Sequence, residues 1–284
     1  MTAPCSYLAD RRETRSTLER HGLCAKHRLG QNFLVSDVVI AHILALAELT
    51  CDDVVIEVGP GIGTLTVALL VRAGEVRAIE ADRSLAPVLA ETCARDGERL
   101  TLTWGDALKV LPQGVAQEPR PTMLVANLPY QVAATLVLKV LEELPSVRRL
   151  VVMVQAEVAD RIAAAPGSKA YGAYTAKLRL WGRVTGRFEV GPGSFMPPPH
   201  VDSAVVRIDR APLLDAAEIP WVAQVIDAAF AQRRKTIRNS LATNGFERDV
   251  LDAALARTGI MPTVRAESLT PDDLVRLAGA LRHE

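Results

Sequence analysis

The chain has 284 residues, 49% of them hydrophobic, and its 33 basic residues balance 33 acidic ones. That is enough for one large domain and a small one, and the neutral balance means that any phosphate-gripping surface must be local rather than global. No apolar run approaches the roughly 20 residues of a membrane span, so no membrane partner is expected. The N-terminus is charged rather than leader-like, and Cys5, Cys24, Cys51 and Cys93 form no CxxC, so a cytoplasmic protein with reduced thiols and no metal is expected.

Residues 1–28 are polar and mixed, with Arg11, Arg12, Arg15, Arg20, Lys26 and Arg28 set against Asp10, Glu13 and Glu19. They read as an N-terminal arm with a short helix near 13–21, either solvated or touching phosphates. Leu29-Gly30-Gln31-Asn32-Phe33-Leu34 follows, then a helix around 37–48. Gln31 and Asn32 suit a turn and cap, or hydrogen-bond donors to a ligand.

Val54–Val58 reads as a buried strand running into Gly59-Pro60-Gly61-Ile62-Gly63 and a helix to about Val71. Glycines at the start of a helix let backbone approach a ligand where free N–H groups are abundant. The spacing is GxGxG, not the GxGxxG of dinucleotide enzymes. The next strand, Val76–Ile79, ends in Glu80, placed to accept from both hydroxyls of a ribose. A helix near 84–95 leads to a strand Leu100–Trp104 and then Gly105-Asp106. Asp106 is either a helix cap or an acceptor for an adenine amine.

The apolar run Met123–Ala126 then delivers Asn127-Leu128-Pro129-Tyr130 at a strand's C-terminal end, followed by an amphipathic helix. Open parallel sheets bind ligands at that edge. An amide that donates and accepts, a proline that fixes the turn and an aromatic face together suit a planar amine, although Asn and Pro are also ordinary turn residues. A fifth strand, Leu150–Val154, precedes the helix Gln155–Ala165, and the segment Tyr174–Trp181 reads as helical. Ser194-Phe195-Met196-Pro197-Pro198-Pro199-His200 is stiff and extended, holding Phe195 as a core plug or as a second stacking face. Ser203–Ile208 closes the sheet, and Pro212–Ala217 reads as a linker. One long helix is predicted from Pro220 to Leu241. Its far end carries Arg233, Arg234, Lys235 and Arg238 without interleaved acids, which favours an RNA-phosphate grip over a solvated face. Helices near 247–257 and 271–281 finish the chain, the last capped by Thr270.

Strand–helix alternation to residue 208 gives an α/β, doubly wound sheet with a small all-helical C-terminal domain. The boundaries are 1–28 for the arm, 29–211 for the sheet domain and 212–284 for a helical, RNA-binding domain. In this order, the segments LGQNFL (29–34), EVGPGIG (57–63), Glu80, Asp106, NLPY (127–130), SKAYG (168–172), FMPPPHVDS (195–203) and FAQRRKTIRNSL (230–241) resemble the ribosomal RNA adenine N6,N6-dimethyltransferases from about residue 18 onward. The resemblance implies a Rossmann-like sheet that uses S-adenosyl-L-methionine. It places Gln31, Asn32, Leu34, Gly59, Gly61, Gly63, Glu80, Asp106 and Asn127 at the cofactor. Asn127, Leu128, Pro129, Tyr130 and Phe195 are placed at the target base. It further implies 16S rRNA of the small ribosomal subunit or its precursor as partner, with adjacent adenosines near the 3′ end as target. A monomer, a part in subunit maturation and kasugamycin resistance on loss of the enzyme are implied as well. His200 stands where the family commonly has lysine, and the arm before Leu18 is longer than in many members. Rival readings are a macrolide-resistance 23S rRNA methyltransferase of the same fold, an assembly factor whose binding matters more than its catalysis, and a nicotinamide oxidoreductase.

Overall fold

The structure, a computed structural model, describes residues 4–26 and 29–282; Arg28 of the arm lies outside the described residues. Nine strands occur among them: β1 (Phe33–Leu34), β2 (Val54–Val58), β3 (Glu75–Glu80), β4 (Leu100–Trp104), β5 (Met123–Asn127), β6 (Arg149–Gln155), β7 (Gly182–Val190), β8 (Phe195–Met196) and β9 (Ser203–Arg210). Seven form one sheet in the order β4-β3-β2-β5-β6-β9-β7, while β1 and β8 pair separately. β2, β3, β4, β5 and β6 pair in parallel, and β9 runs antiparallel to β6. β2 and most of β5 are buried throughout, because helices cover both faces of a parallel sheet; this is why they read as unbroken apolar runs. The order reverses between β2 and β5, so the loops after these two strands open a crevice at the carboxyl edge.

The chain divides into two compact units, one comprising residues 1–159 and 184–210, the other 160–183 and 211–284. The second unit thus takes in residues 160–183, which the sequence reading gave to the sheet domain. The reason is packing: Tyr171, Ala176 and Leu180 join Ile219, Val225, Ile226 and Leu277 in one apolar cluster. Within this unit the single long helix expected to Leu241 is two, Ile219–Phe230 and Ile237–Thr243. Thr236 starts the second by accepting from the Asn239 N–H, and Ile237 N–H is drawn to the Val264 carbonyl at 2.7 Å. The break lets Ile237 and Leu241 turn into the cluster.

The described part of the N-terminal segment is not a solvated arm. Leu8 and Leu18 belong to the sheet unit's core, and the helix Arg11–Arg20 buries Thr14 and Thr17. Arg11 donates to the Gly193 carbonyl, Arg20 pairs with Glu91 at 2.6 Å, and Lys26 pairs with Asp82 at 2.8 Å. Three of its positive charges are therefore spent on the protein's own acceptors.

Candidate functional site

The carboxyl edge of the sheet holds a cavity of about 410 Å³, within the range of small-molecule sites. Its wall collects the strand ends: Val58–Gly61 after β2, Ile79–Ala81 after β3, Gly105–Ala107 after β4 and Asn127–Val132 after β5. The segment Leu29–Leu34 completes it. Residues up to 103 positions apart meet here because parallel strands place all their C-terminal ends on one edge.

Gly59 and Gly61 both adopt the left-handed conformation, at φ +74° and +60°, which any other residue enters at a penalty. The neighbours are close as well: a Cβ on Gly61 would sit 3.2 Å from the Phe33 ring, and one on Gly59 would lie 3.6 Å from Pro129. The glycine loop is thus fitted against the 29–34 segment and the Asn127–Tyr130 turn. Gly63 is different. It is left-handed too, at φ +90°, but it lies outside the cavity wall, and its Cβ would meet Thr92 Oγ1 at 2.9 Å, so backbone conformation and packing already call for glycine there.

Glu80 is 6% exposed; one oxygen accepts from the Gly61 N–H at 3.2 Å and the other from the Asp82 N–H at 2.8 Å. Burial raises its pKa despite those bonds. Glu57 is harder pressed. It is 1% exposed, and neither its Oε2 nor the hydroxyl of Thr64, also on the cavity wall, has a hydrogen-bond partner among the described residues. Burial pushes its carboxyl up to about 8, the nearby Thr66 hydroxyl opposing and the Glu80 charge adding to the rise. Buried polar atoms are rarely left unpaired, and Glu57 and Thr64 bring two such atoms to one cavity wall.

Asn127 is half-buried at the end of β5, its Nδ2 facing the Asn32 carbonyl at 3.5 Å. That contact gives the amide's donor side to the protein and leaves Oδ1 as the acceptor. Tyr130 lines the cavity, and its hydroxyl is held by the buried Ser203 hydroxyl at 2.6 Å. Asp106 also lies on the wall, where its Oδ1 caps the short helix Ala107–Val110 through the Leu108 N–H; the two readings of this residue are compatible, because only one oxygen is used. Leu34 lines the wall, and Asn32 lines it with its own Nδ2 turned to the Gly30 carbonyl.

Two further expectations change. Gln31 borders the cavity, but its amide donates to Asp82 Oδ2 at 2.8 Å and accepts from the Lys26 N–H at 2.9 Å, so it serves the wall. Phe195 is fully buried in the core and absent from the wall. It cannot offer a stacking face; instead its strand pairs with β1, Leu34 opposite Phe195, and sets the position of Leu34.

The basic residues lie in the helical unit. Arg233, Arg234 and Lys235 are exposed in the turn between two helices, not along a helix. Arg233 pairs with Glu267 at 3.1 Å, and Arg238 is held in a bidentate pair by Asp252 at 2.5 and 2.6 Å. The turn therefore presents Arg234 and Lys235 most openly.

A family model described as ribosomal RNA adenine dimethylase matches residues 22–282. The chain belongs to the ribosomal RNA adenine dimethylase family. The ribosomal RNA small subunit methyltransferase A of Corynebacterium glutamicum (strain R) is 43% identical over 279 residues, covering 96% of this chain and 94% of that protein. Its namesake in Rhodococcus erythropolis is 44% identical, covering 94% and 91%. Among solved structures, a dimethyladenosine transferase from Plasmodium falciparum has a TM-score of 0.73 at 26% identity, covering 86% of this chain and 95% of that one. The 23S rRNA methyltransferase ErmE has 0.69 at 27%, covering 88% and 100%. Five residues at or beside this dimethylase's cavity carry roles that sequence reading passed over: Phe33, Glu57, Thr64, Asp82 and Ser203. Asp82 two positions before Ser84 looks like an ordinary turn cap, and a serine opening a strand carries no signal of its own. The lone acid in the apolar run of β2 was the available sign for Glu57.

Proposed function

We propose that this dimethylase transfers methyl groups from S-adenosylmethionine to the N6 amines of two adjacent adenosines in the hairpin loop near the 3′ end of 16S rRNA. It acts as a cytoplasmic monomer during small-subunit maturation. The observation that carries the reading is the amide of Asn127. Its donor side is occupied by Asn32, and its acceptor side stands at the cavity between the glycine loop and Tyr130.

The residues present fit the cofactor. Unpartnered oxygens of Glu57 and Thr64 flank the positive-φ glycines and suit its amino-acid end, Glu80 suits the ribose hydroxyls, and the spare oxygen of Asp106 suits the adenine amine. When bound, S-adenosylmethionine supplies an electrophilic sulfonium methyl. The protein's part is to present the amine. An adenine amine is a poor nucleophile because its lone pair is delocalised into the ring. Asn127 Oδ1 and the Leu128 carbonyl accept its two N–H groups, which pulls the nitrogen out of conjugation and aims the lone pair. Positioning of this kind is worth on the order of 7–11 kcal/mol. The N6 proton is acidic after alkylation and leaves to water, so no strong base is needed. The base must first leave its stack, at a few kcal/mol, and stacking on Tyr130, held by Ser203, returns roughly 1–3 kcal/mol. Arg234 and Lys235, with Arg233, grip phosphates of the RNA.

The test offers the protein labelled S-adenosylmethionine with small and large subunits that lack the relevant methyl groups, followed by nucleoside analysis. Dimethyladenosine from small subunits alone is expected. Label in the large subunit favours the resistance-type activity, and no label with tight binding sinks the catalytic reading. Asn127→Ala is expected to abolish transfer while S-adenosylhomocysteine binding is largely kept; normal turnover overturns the role given to Asn127.

A further inference from the structure

Asp82 gathers more hydrogen bonds than a turn cap needs. Oδ1 accepts from Lys26 Nζ at 2.8 Å, from Ser84 Oγ at 2.7 Å and from the Ser84 N–H at 3.2 Å. Oδ2 accepts from Gln31 Nε2 at 2.8 Å. Lys26 Nζ also reaches Ser84 Oγ at 2.7 Å, closing a ring of polar contacts. The Asp82 N–H donates to Glu80 Oε1, whose other oxygen is taken by the Gly61 N–H. The side chain is 7% exposed.

Every contact to this carboxylate comes from a donor, and of these only the Ser84 hydroxyl can reverse; the Lys26 ammonium and the Ser84 N–H cannot accept. Gln31 shows its NH₂ to Asp82 because its oxygen already accepts from the Lys26 N–H. The two ends of the ring both bear on the cavity wall: Gln31 belongs to the Leu29–Leu34 segment, and Glu80 ends β3. Burial resists ionisation, but the bonds from Lys26, Ser84 and Gln31 outweigh it and hold the carboxyl at about 2, so the ring is intact at any ordinary pH.

We infer that Asp82 is a positioning residue, which fastens the Leu29–Leu34 wall through Lys26 and Gln31 while its backbone sets the orientation of Glu80. The inference rests on reading the cavity as the cofactor site. It gives Gln31 the role of a strut in place of a ligand contact, and it makes the N-terminal segment up to Lys26 part of the apparatus that shapes the cavity.

The test compares the full chain with Asp82→Asn, Lys26→Met, Lys26→Arg and Asp53→Asn. Asp53 is the control: it is 3% exposed and equally bonded, to Thr50, Thr122 and Arg148, at the far end of β2. S-adenosylhomocysteine binding is read by calorimetry, and hydrogen exchange of Leu29–Leu34 is read without ligand. Asp82→Asn sets an NH₂ against a donor, so affinity is expected to fall about tenfold or more, the scale of a lost charge-assisted bond. Exchange across Leu29–Leu34 is expected to speed up. Lys26→Met follows in the same direction and Lys26→Arg restores most of the affinity, whereas Asp53→Asn lowers the melting temperature and leaves both readouts alone. If Asp82→Asn is too unstable to purify, Lys26→Met carries the test. Affinity and exchange within twofold of wild type in Asp82→Asn or Lys26→Met overturn the inference. Failure of wild type to bind S-adenosylhomocysteine overturns the functional reading instead, while the exchange comparison still judges the strut.

Discussion

Replacing Glu57 by Gln removes a carboxyl that the fold keeps from ionising. The side chain is 1% exposed, on a strand whose five residues are all buried, and its Oε2 has no partner among the described residues. Burial holds it at about 8 against an ordinary 4.5. Between those values the native state keeps a proton that the unfolded chain has released. Stability from this residue is therefore fully present below pH 4.5 and is lost as pH rises towards 8. At 1.36 kcal/mol per decade the interval sets a ceiling of about 5 kcal/mol, and relaxation around the charge makes about 2–3 kcal/mol the expected loss. Glutamine has nearly the same shape and no proton to lose. Calorimetric melting of the unliganded proteins should give nearly equal melting temperatures at pH 5, with Glu57→Gln more stable by roughly 5 °C at pH 8, at about 2–4 °C per kcal/mol. A difference between the two proteins that does not change from pH 5 to pH 8 refutes the reasoning.

Two further outcomes follow from the same geometry. Gly63→Ala combines a φ of +90° with a Cβ 2.9 Å from Thr92 Oγ1, whereas Gly167→Ala has a φ of +82° and open space. Urea unfolding should show a loss of about 1–2 kcal/mol for Gly167→Ala and about 1–3 kcal/mol beyond that for Gly63→Ala; equal losses mean the Thr92 contact yields without effect. In the helical unit, Arg234→Ala should weaken binding to an RNA hairpin and lower the salt slope by about one, at an unchanged melting temperature. Arg238→Ala should instead leave hairpin binding and its salt slope near wild type, because Arg238 is already paired with Asp252; a loss of binding in Arg238→Ala with none in Arg234→Ala refutes the division of roles between the two arginines.

Much of the cavity was legible locally. Val54–Val58 and Met123–Ala126 are apolar runs because both faces of their strands are covered, and each run ends in a residue that cannot serve a core: Gly59 in one case, Asn127 in the other. Once the strands are parallel, their order in sequence is enough to bring those ends to one edge. The run of basic residues was equally plain, but its conformation was not. Periodicity continued a helix through Arg233–Lys235, and only the pull of Val264 on Ile237 and the burial of Ile237 and Leu241 broke it.

The sequence by itself determined the alternation of strands and helices, the glycine loop, and the acids and amide at strand ends, because these depend on neighbours within a few positions. Tertiary structure alone decided that the N-terminal segment packs on the sheet unit, that residues 160–183 join the helical one, that Phe195 is core and that Gln31 braces Asp82. Lys26 and Asp82 are 56 positions apart, as Tyr130 and Ser203 are 73 apart. No periodicity links such pairs. They are chosen by close packing, which leaves a buried donor few acceptors within reach.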